Sequence, residues 1–350
     1  MFIKLLFPAL FLGFMFSCSG KDEIRKVTMV TYDDFRSTQH LVGMAVEFDD
    51  PVLRPIRLHL YHDSLLFTVN SGEDKLLQVY NLNTRQKVTE HISLGQGPKE
   101  MVAPRFVENE DNKMLLFDIA TSVLFEYDID RFAQEEAPEP IKRVAFKDKI
   151  SGEPCLLNNA FIAPARNPNY MLQVLNKEGE RIDSVGSYPE TSEKLSNTEM
   201  LETYQYSFTT DSEGKVVICY NWTDRLDFYG KNKDLKTNIY GPIHFTSHYK
   251  EFHNGNATFA KPVKGETRDA YYNPVSVGDE VFVLFSGKSE DEPDYSILAD
   301  KILVYSWDGK PEKILSLDQG VFTFTVDAKN KLIYGISDKP EFHIVEFSYN

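Results

Sequence analysis

A short pattern recurs along the chain: two polar or turn-forming residues, then at once an apolar run. It appears as Asp63-Ser64-Leu65-Leu66-Phe67, Asn112-Lys113-Met114-Leu115-Leu116 and Asn158-Asn159-Ala160-Phe161-Ile162. It continues as Gly214-Lys215-Val216-Val217-Ile218, Asp279-Glu280-Val281-Phe282-Val283 and Asn330-Lys331-Leu332-Ile333-Tyr334. The first apolar positions are 65, 114, 160, 216, 281 and 332, at intervals of 49, 46, 56, 65 and 51. A period near 50 residues indicates stacked or radial units. A second apolar run follows each first one, at 76–80, 123–127, 171–175, 226–229, 302–305 and 342–347. These runs are short, rich in β-branched and aromatic residues, and bounded by turns such as Glu178-Gly179 and Asp308-Gly309, which is a strand signature. Helical periodicity is nearly absent over the same stretches.

Most units add a third run (88–94, 142–146, 181–186, 237–240, 313–317), and a strand such as 57–61 precedes the polar pair. Four antiparallel strands repeated six times predict an all-β, six-bladed β-propeller. The sixth unit reaches Asn350 without its outer strand, whereas 27–32 and 41–48 are spare strand-like pieces ahead of the first unit. One of them is expected to complete the sixth blade and close the ring, removing an open edge that would invite aggregation.

The N-terminus carries Lys4, an apolar run over 5–16, and Ser17-Cys18, the parts of a secretory signal. Twelve helical residues span only about 18 Å, short of the roughly 30 Å hydrocarbon core. Met15-Phe16-Ser17-Cys18 resembles a bacterial lipobox, in which the Cys is acylated and becomes the new N-terminus. Several acyl chains on one residue give stable anchoring. The expected organisation is a signal peptide at 1–17, a lipidated linker at 18–26 and one propeller domain at 27–350. Ser19-Gly20-Lys21-Asp22-Glu23 resembles the surface-export signal of Bacteroidetes lipoproteins, so an outer-membrane, surface-exposed location is expected. The alternative is a periplasm-facing protein with a merely solvated linker.

With these strands, Cys18 and the stretch Leu94-Gly95-Gln96-Gly97-Pro98-Lys99-Glu100 after the first unit, the chain resembles the TolB-like six-bladed propeller lipoproteins of the Bacteroidetes. The resemblance spans about 52–350. It implies a fold and an envelope location, and it supplies no settled activity and no catalytic residues.

Composition narrows the function. Thirty-eight Lys and Arg against 53 Asp and Glu give a net charge of −15, and loss of residues 1–17 removes one Lys to leave −16. Such a surface argues against nonspecific nucleic-acid binding. Three cysteines cannot build a disulfide framework; Cys155 and Cys219 are either one bridge or, preferably, two buried thiols.

No catalytic constellation emerges, and no cofactor or metal is expected. Gly95-Gln-Gly-Pro-Lys99 lacks the spacing of a phosphate loop. Gly95 and Gly97 are instead expected to supply positive φ where the chain leaves a blade, stiffened by Pro98. His244, His248 and Glu251 would share a face if helical and could then bind zinc, but a solvated insertion is favoured. Glu290-Asp291-Glu292-Pro293-Asp294 lacks calcium-loop spacing. The sequence holds no Gly-x-Ser-x-Gly elbow of a hydrolase. Asn221-Trp-Thr223 and Asn256-Ala-Thr258 match the glycosylation pattern, which is uninformative in a bacterial lipoprotein.

In an antiparallel blade the loops between second and third strands share a face with the blade-to-blade crossings. That face gathers 70–74, Gln96, Lys99, Glu100, Arg105, Arg166, 221–225 and the 286–300 insertion. Trp222 beside Asp224 and Arg225 has the composition of a recognition surface, although a capping aromatic with solvated neighbours would look the same. The expected function is a noncatalytic envelope lipoprotein binding a protein, peptide or glycan on this face. The alternative is a metal-dependent hydrolase or lactonase with its site in the central channel, which rests on fold analogy. A third reading is a structural spacer in an envelope assembly.

Overall fold

The computed structural model describes residues 27–109, 113–134, 136–148, 150–191, 194–255, 257–293 and 295–350. The expected signal peptide, Cys18 and the linker to residue 26 lie outside the described residues, as do Asn112, Asn256 and Asp294 of the motifs above.

Six antiparallel sheets follow one another along the chain. Each is built from four strands, innermost first. Blade one is Pro55–Tyr61, Leu65–Asn70, Lys75–Asn81 and Gln86–Ser93. Blade two is Pro104–Phe106, Met114–Asp118, Val123–Tyr127 and Lys142–Ala145. Blade three is Cys155–Leu157, Ala160–Asn167, Tyr170–Leu175 and Arg181–Val185. Blade four is Tyr206–Thr210, Val216–Tyr220, Arg225–Tyr229 and Leu235–Tyr240. Blade five is Tyr271–Val277, Glu280–Phe285, Ala299–Ser306 and Pro311–Val321. Blade six is Thr323–Asp327, Leu332–Ser337 and His343–Ser348, with Met44–Val46 as its outer strand.

The recurrent polar pair is the turn between first and second strands. Asn158 and Asn159 both adopt positive φ, 49° and 63°, in a two-residue connection between Leu157 and Ala160. Two left-handed residues match the right-handed twist of the flanking strands, and Asn tolerates that conformation.

The apolar runs are continuous because both faces of a blade are buried. Val281, Val283 and Phe285 pack toward blade four; Phe282 and Leu284 pack toward blade six. The same division recurs around the ring, and the six hydrophobic clusters lie between successive pairs of blades, the last joining blade six to blade one. Burial of one such Phe or Leu contributes about 1.5–3 kcal/mol.

Closure comes from the N-terminal segment, as expected. Met44–Val46 pairs antiparallel with blade six, Val46 opposite Ile344. The other spare piece has a different task. Thr28–Met29 adds a parallel fifth strand to the rim of blade four, and Ser37–Leu41 does the same for blade five. One strap therefore seals three consecutive blades.

The insertion between blades four and five is a hairpin, Tyr249–Asn254 with Ala257–Pro262, not the helix that the zinc reading needs. Glu251 lies on a strand, so it shares no helical face with His244 and His248. The three groups are engaged separately: His244 Nε2 with the Val30 carbonyl at 2.8 Å, His248 with Glu266 at 3.1 Å, and Glu251 with His253 at 3.3 Å. Cys155 and Cys219 are both buried free thiols.

Candidate functional site

Innermost strands run from the crossing face toward the turn face, so their first residues ring the channel mouth. Arg57 and Arg105 both hold this position, on blades one and two. Glu153, in the crossing into blade three, lies between them: its Oε1 accepts a hydrogen bond from Arg57 Nε at 2.6 Å and forms an ion pair with Arg105 Nε at 3.2 Å. Burial and the neighbouring Arg57 charge lower the pKa of Arg105.

The channel below has a volume of about 650 Å³. His59 faces it, stacked 5.1 Å from Phe106, and burial pushes its pKa down to about 4. Glu108 faces it from a short extension of the blade-two inner strand that pairs with blade three. Burial pushes its carboxyl up to about 7, against hydrogen bonds from Thr209 and Cys155 that favour the anion. Those bonds are 3.0 Å from Thr209 Oγ1 and 3.6 Å from Cys155 Sγ, both to Oε2. Burial holds the Cys155 thiol protonated, so it is a poor nucleophile.

A second hollow of about 220 Å³ opens on the crossing face between blades four, five and six. Its walls include Trp222, Tyr272, Tyr295, Ile297 and Phe322, and Tyr272 and Phe322 also line the channel. Trp222 Nε1 donates to Gln205 Oε1 at 2.8 Å, and its ring meets Tyr272 edge-on with centroids 6.0 Å apart. Among the described residues the one carboxylate in the lining is buried Asp269, which accepts from Tyr295 at 3.1 Å and from Tyr272. Burial raises its pKa above the ordinary carboxylate value.

The structure separates the residues singled out from sequence. Trp222 lies in the hollow and Arg105 at the channel mouth. Asp224 and Arg225, expected beside Trp222 as recognition groups, are 0% and 8% exposed. Asp224 accepts 2.8 Å hydrogen bonds from Tyr271 Oη and from the Ile243 and His244 amides. Arg225 forks onto Asp227 at 2.8 and 3.3 Å. Both are fold-building contacts, because blade four turns its charged pair inward and its indole outward.

Arg166 pairs with Glu202, and Lys99 pairs with Glu139. Gln96 is exposed. Glu100 accepts the Gly97 amide at 2.8 Å, bracing its own turn. The glycines there do not supply positive φ as expected; neither is among the residues with that backbone. They make room for Glu100: a Cβ on Gly95 would meet its Oε2 at 2.0 Å.

Sequence reasoning missed Arg57, Glu108, Glu153, Tyr272 and Tyr295. Arg57 and Arg105 occupy equivalent places near the start of successive inner strands, and that repeated basic position was a signal in the chain. Glu153 and Tyr295 sit in irregular segments, where no periodicity marks them.

The family described as TolB-like 6-blade propeller-like matches residues 36–329. A member of the DUF4221 family from Bacteroides vulgatus superposes with a TM-score of 0.52 at 10% identity, covering 89% of this chain and 96% of that one. A candidate exported protein from Bacteroides fragilis gives 0.55 at 11% identity, covering 91% and 99%. Raptor from Chaetomium thermophilum gives 0.51 at 10% identity, over 87% of this chain and 28% of its own. No curated protein matches by sequence. At these identities the likeness is one of fold.

Proposed function

This chain belongs to the TolB-like six-bladed propeller family, and on that premise we propose that it is a noncatalytic binding protein of the cell envelope whose crossing face holds a glycan. The observation that carries this reading is the hollow at Trp222. Aromatic rings line a space of about 220 Å³ around one carboxylate that two tyrosine hydroxyls hold in place. A sugar ring offers apolar C–H faces to such rings and hydroxyls to such a carboxylate. Mostly apolar concavities with a few fixed polar groups are the usual form of a ligand site. Protein and peptide ligands fit less well, because the hollow is a small concavity walled on one side by Tyr295 and Ile297 of the blade-five insertion rather than a long groove or a free sheet edge.

The envelope assignment is supported by the signal-like N-terminus, by Cys18 in its lipobox context, and by the fold shared with the candidate exported protein of Bacteroides fragilis. Among the described residues no helix is long and apolar enough to cross a membrane. In the channel, the metal-dependent hydrolase reading meets an obstacle. Glu153, the carboxylate at the mouth, is flanked by two guanidinium groups that oppose a divalent cation.

The test is calorimetric titration of the purified protein with a panel of neutral oligosaccharides. Saturable binding, ligand recovered unchanged, and at least tenfold weaker affinity for Trp222→Ala are expected. Turnover of the ligand, or full affinity in the variant, would overturn the reading.

A further inference from the structure

We propose that the channel mouth is a carboxylate-binding subsite, formed by Arg57 and Arg105 and occupied in the free protein by Glu153, so that the glycan this protein takes is an acidic one. The inference rests on the glycan reading above and adds the charge of the ligand to it.

Two arginines on adjacent inner strands converge on one carboxylate oxygen, Oε1 of Glu153. Each also donates through Nη1 to a neighbouring carbonyl, Arg57 to Ile56 and Arg105 to Pro104, both at 2.8 Å. Those backbone bonds hold the two forks in place independently of Glu153. Planar guanidinium groups so fixed suit carboxylate recognition, where a lysine would offer only a point charge.

The local charge runs against the rest of the molecule. In a chain of net −15, two guanidinium groups meet at the mouth, where Glu153 and the buried Asp118 act on Arg105 as the nearby anions. Of the other acidic groups lining the channel, Glu108 is pushed toward neutrality and Asp211 is paired with Lys215 at 3.3 Å. His59 is held neutral by burial. Displacing Glu153 would therefore leave the pair of guanidinium groups short of one anion, which an incoming carboxylate supplies.

Glu153 is suited to being displaced. It belongs to a crossing segment rather than a strand, and its side chain is 41% exposed. Its end of the ion pair is thus open to solvent, while the arginine side chains are 34% and 18% exposed and stay fixed. Tyr272 and Phe322 connect this mouth to the hollow at Trp222.

The test compares a short oligogalacturonate with its methyl ester, which keeps the rings and removes the charge. Wild-type protein should bind the acid form at least about tenfold more tightly than the ester. Glu153→Ala removes the competing carboxylate and should tighten binding of the acid form several-fold, leaving the ester unchanged. Arg105→Gln should abolish the preference while retaining ester binding; its melting curve establishes that it is folded. Equal affinity for acid and ester, with Glu153→Ala no tighter, would overturn the subsite and leave the glycan reading standing. No binding of acid, ester or neutral sugars by any variant would overturn both.

Discussion

Asp224 shows how blade four uses a charge. Its carboxylate gathers a tyrosine hydroxyl and two backbone amides from the crossing into blade five, and it has no contact with solvent. Asp224→Ala leaves the buried Tyr271 hydroxyl and the Ile243 and His244 amides without their acceptor, which costs about 1–3 kcal/mol. Chemical denaturation should show that loss, with folding otherwise two-state. Gly241→Ala should act on the same contact, since a Cβ there would meet Asp224 Oδ1 at 2.3 Å and Tyr271 Oη at 1.9 Å. From sequence alone, Trp222-Thr-Asp-Arg225 was legible as an unusual cluster. The direction each side chain takes was not, because a strand begins at Arg225 and the residues before it belong to a loop whose geometry no periodicity determines.

Glu108 and His59 give the channel a pH signature. The Glu108 carboxyl moves from 4.5 to about 7 on folding. Its folded pKa is the higher, so its contribution is complete below about 4.5 and is lost as pH rises through about 7. His59 moves from 6.5 down to about 4. Its contribution is present above 6.5 and is lost as pH falls through 4. Glu108→Gln should therefore flatten the alkaline side of the stability profile, by roughly 1–3 kcal/mol, while preserving the acid side. Urea melts between pH 4 and 8 check this; an unchanged alkaline slope would contradict the burial argument for Glu108.

At the scale of elements, the N-terminal strap carries more than its length suggests. Three short strands within 28–46 cover the rims of blades four, five and six. Deleting residues up to 47 would expose three strand edges and unbolt the ring. The shortened protein should melt at markedly lower temperature and self-associate, as light scattering would show; an unchanged melting temperature would contradict closure by the strap. The strand content of the blades was readable because each apolar run is short and punctuated. The strap was only half readable. Residues 41–48 fitted the missing outer strand, whereas 28–29 and 37–41 add strands to rims that already have four, and the count of strands per blade gives no warning of that. The insertion hairpin was hidden for a related reason: His244, His248 and Glu251 fit helical spacing as well as they fit chance.

For the whole molecule, a ring of six cores presents two concavities that share Tyr272 and Phe322 in their linings. Attachment of that ring to the envelope is a separate expectation. Labelling cells with an alkyne-bearing fatty acid should mark the protein, and Cys18→Ala should abolish the label. Labelling that persists in the variant would contradict the lipobox reading.

The central claim, that the Trp222 hollow holds the ligand, can be read from the molecule's own fluorescence. The chain has two tryptophans, of which Trp307 is buried at 7% exposure in the core between blades four and five. In Trp307→Phe protein the remaining signal is that of Trp222. Titration with a short oligogalacturonate should change its intensity and wavelength with saturation, at the same midpoint that calorimetry gives, and Tyr272→Ala should abolish the response. Saturable binding by calorimetry with no change at Trp222 would place the ligand elsewhere and contradict the account.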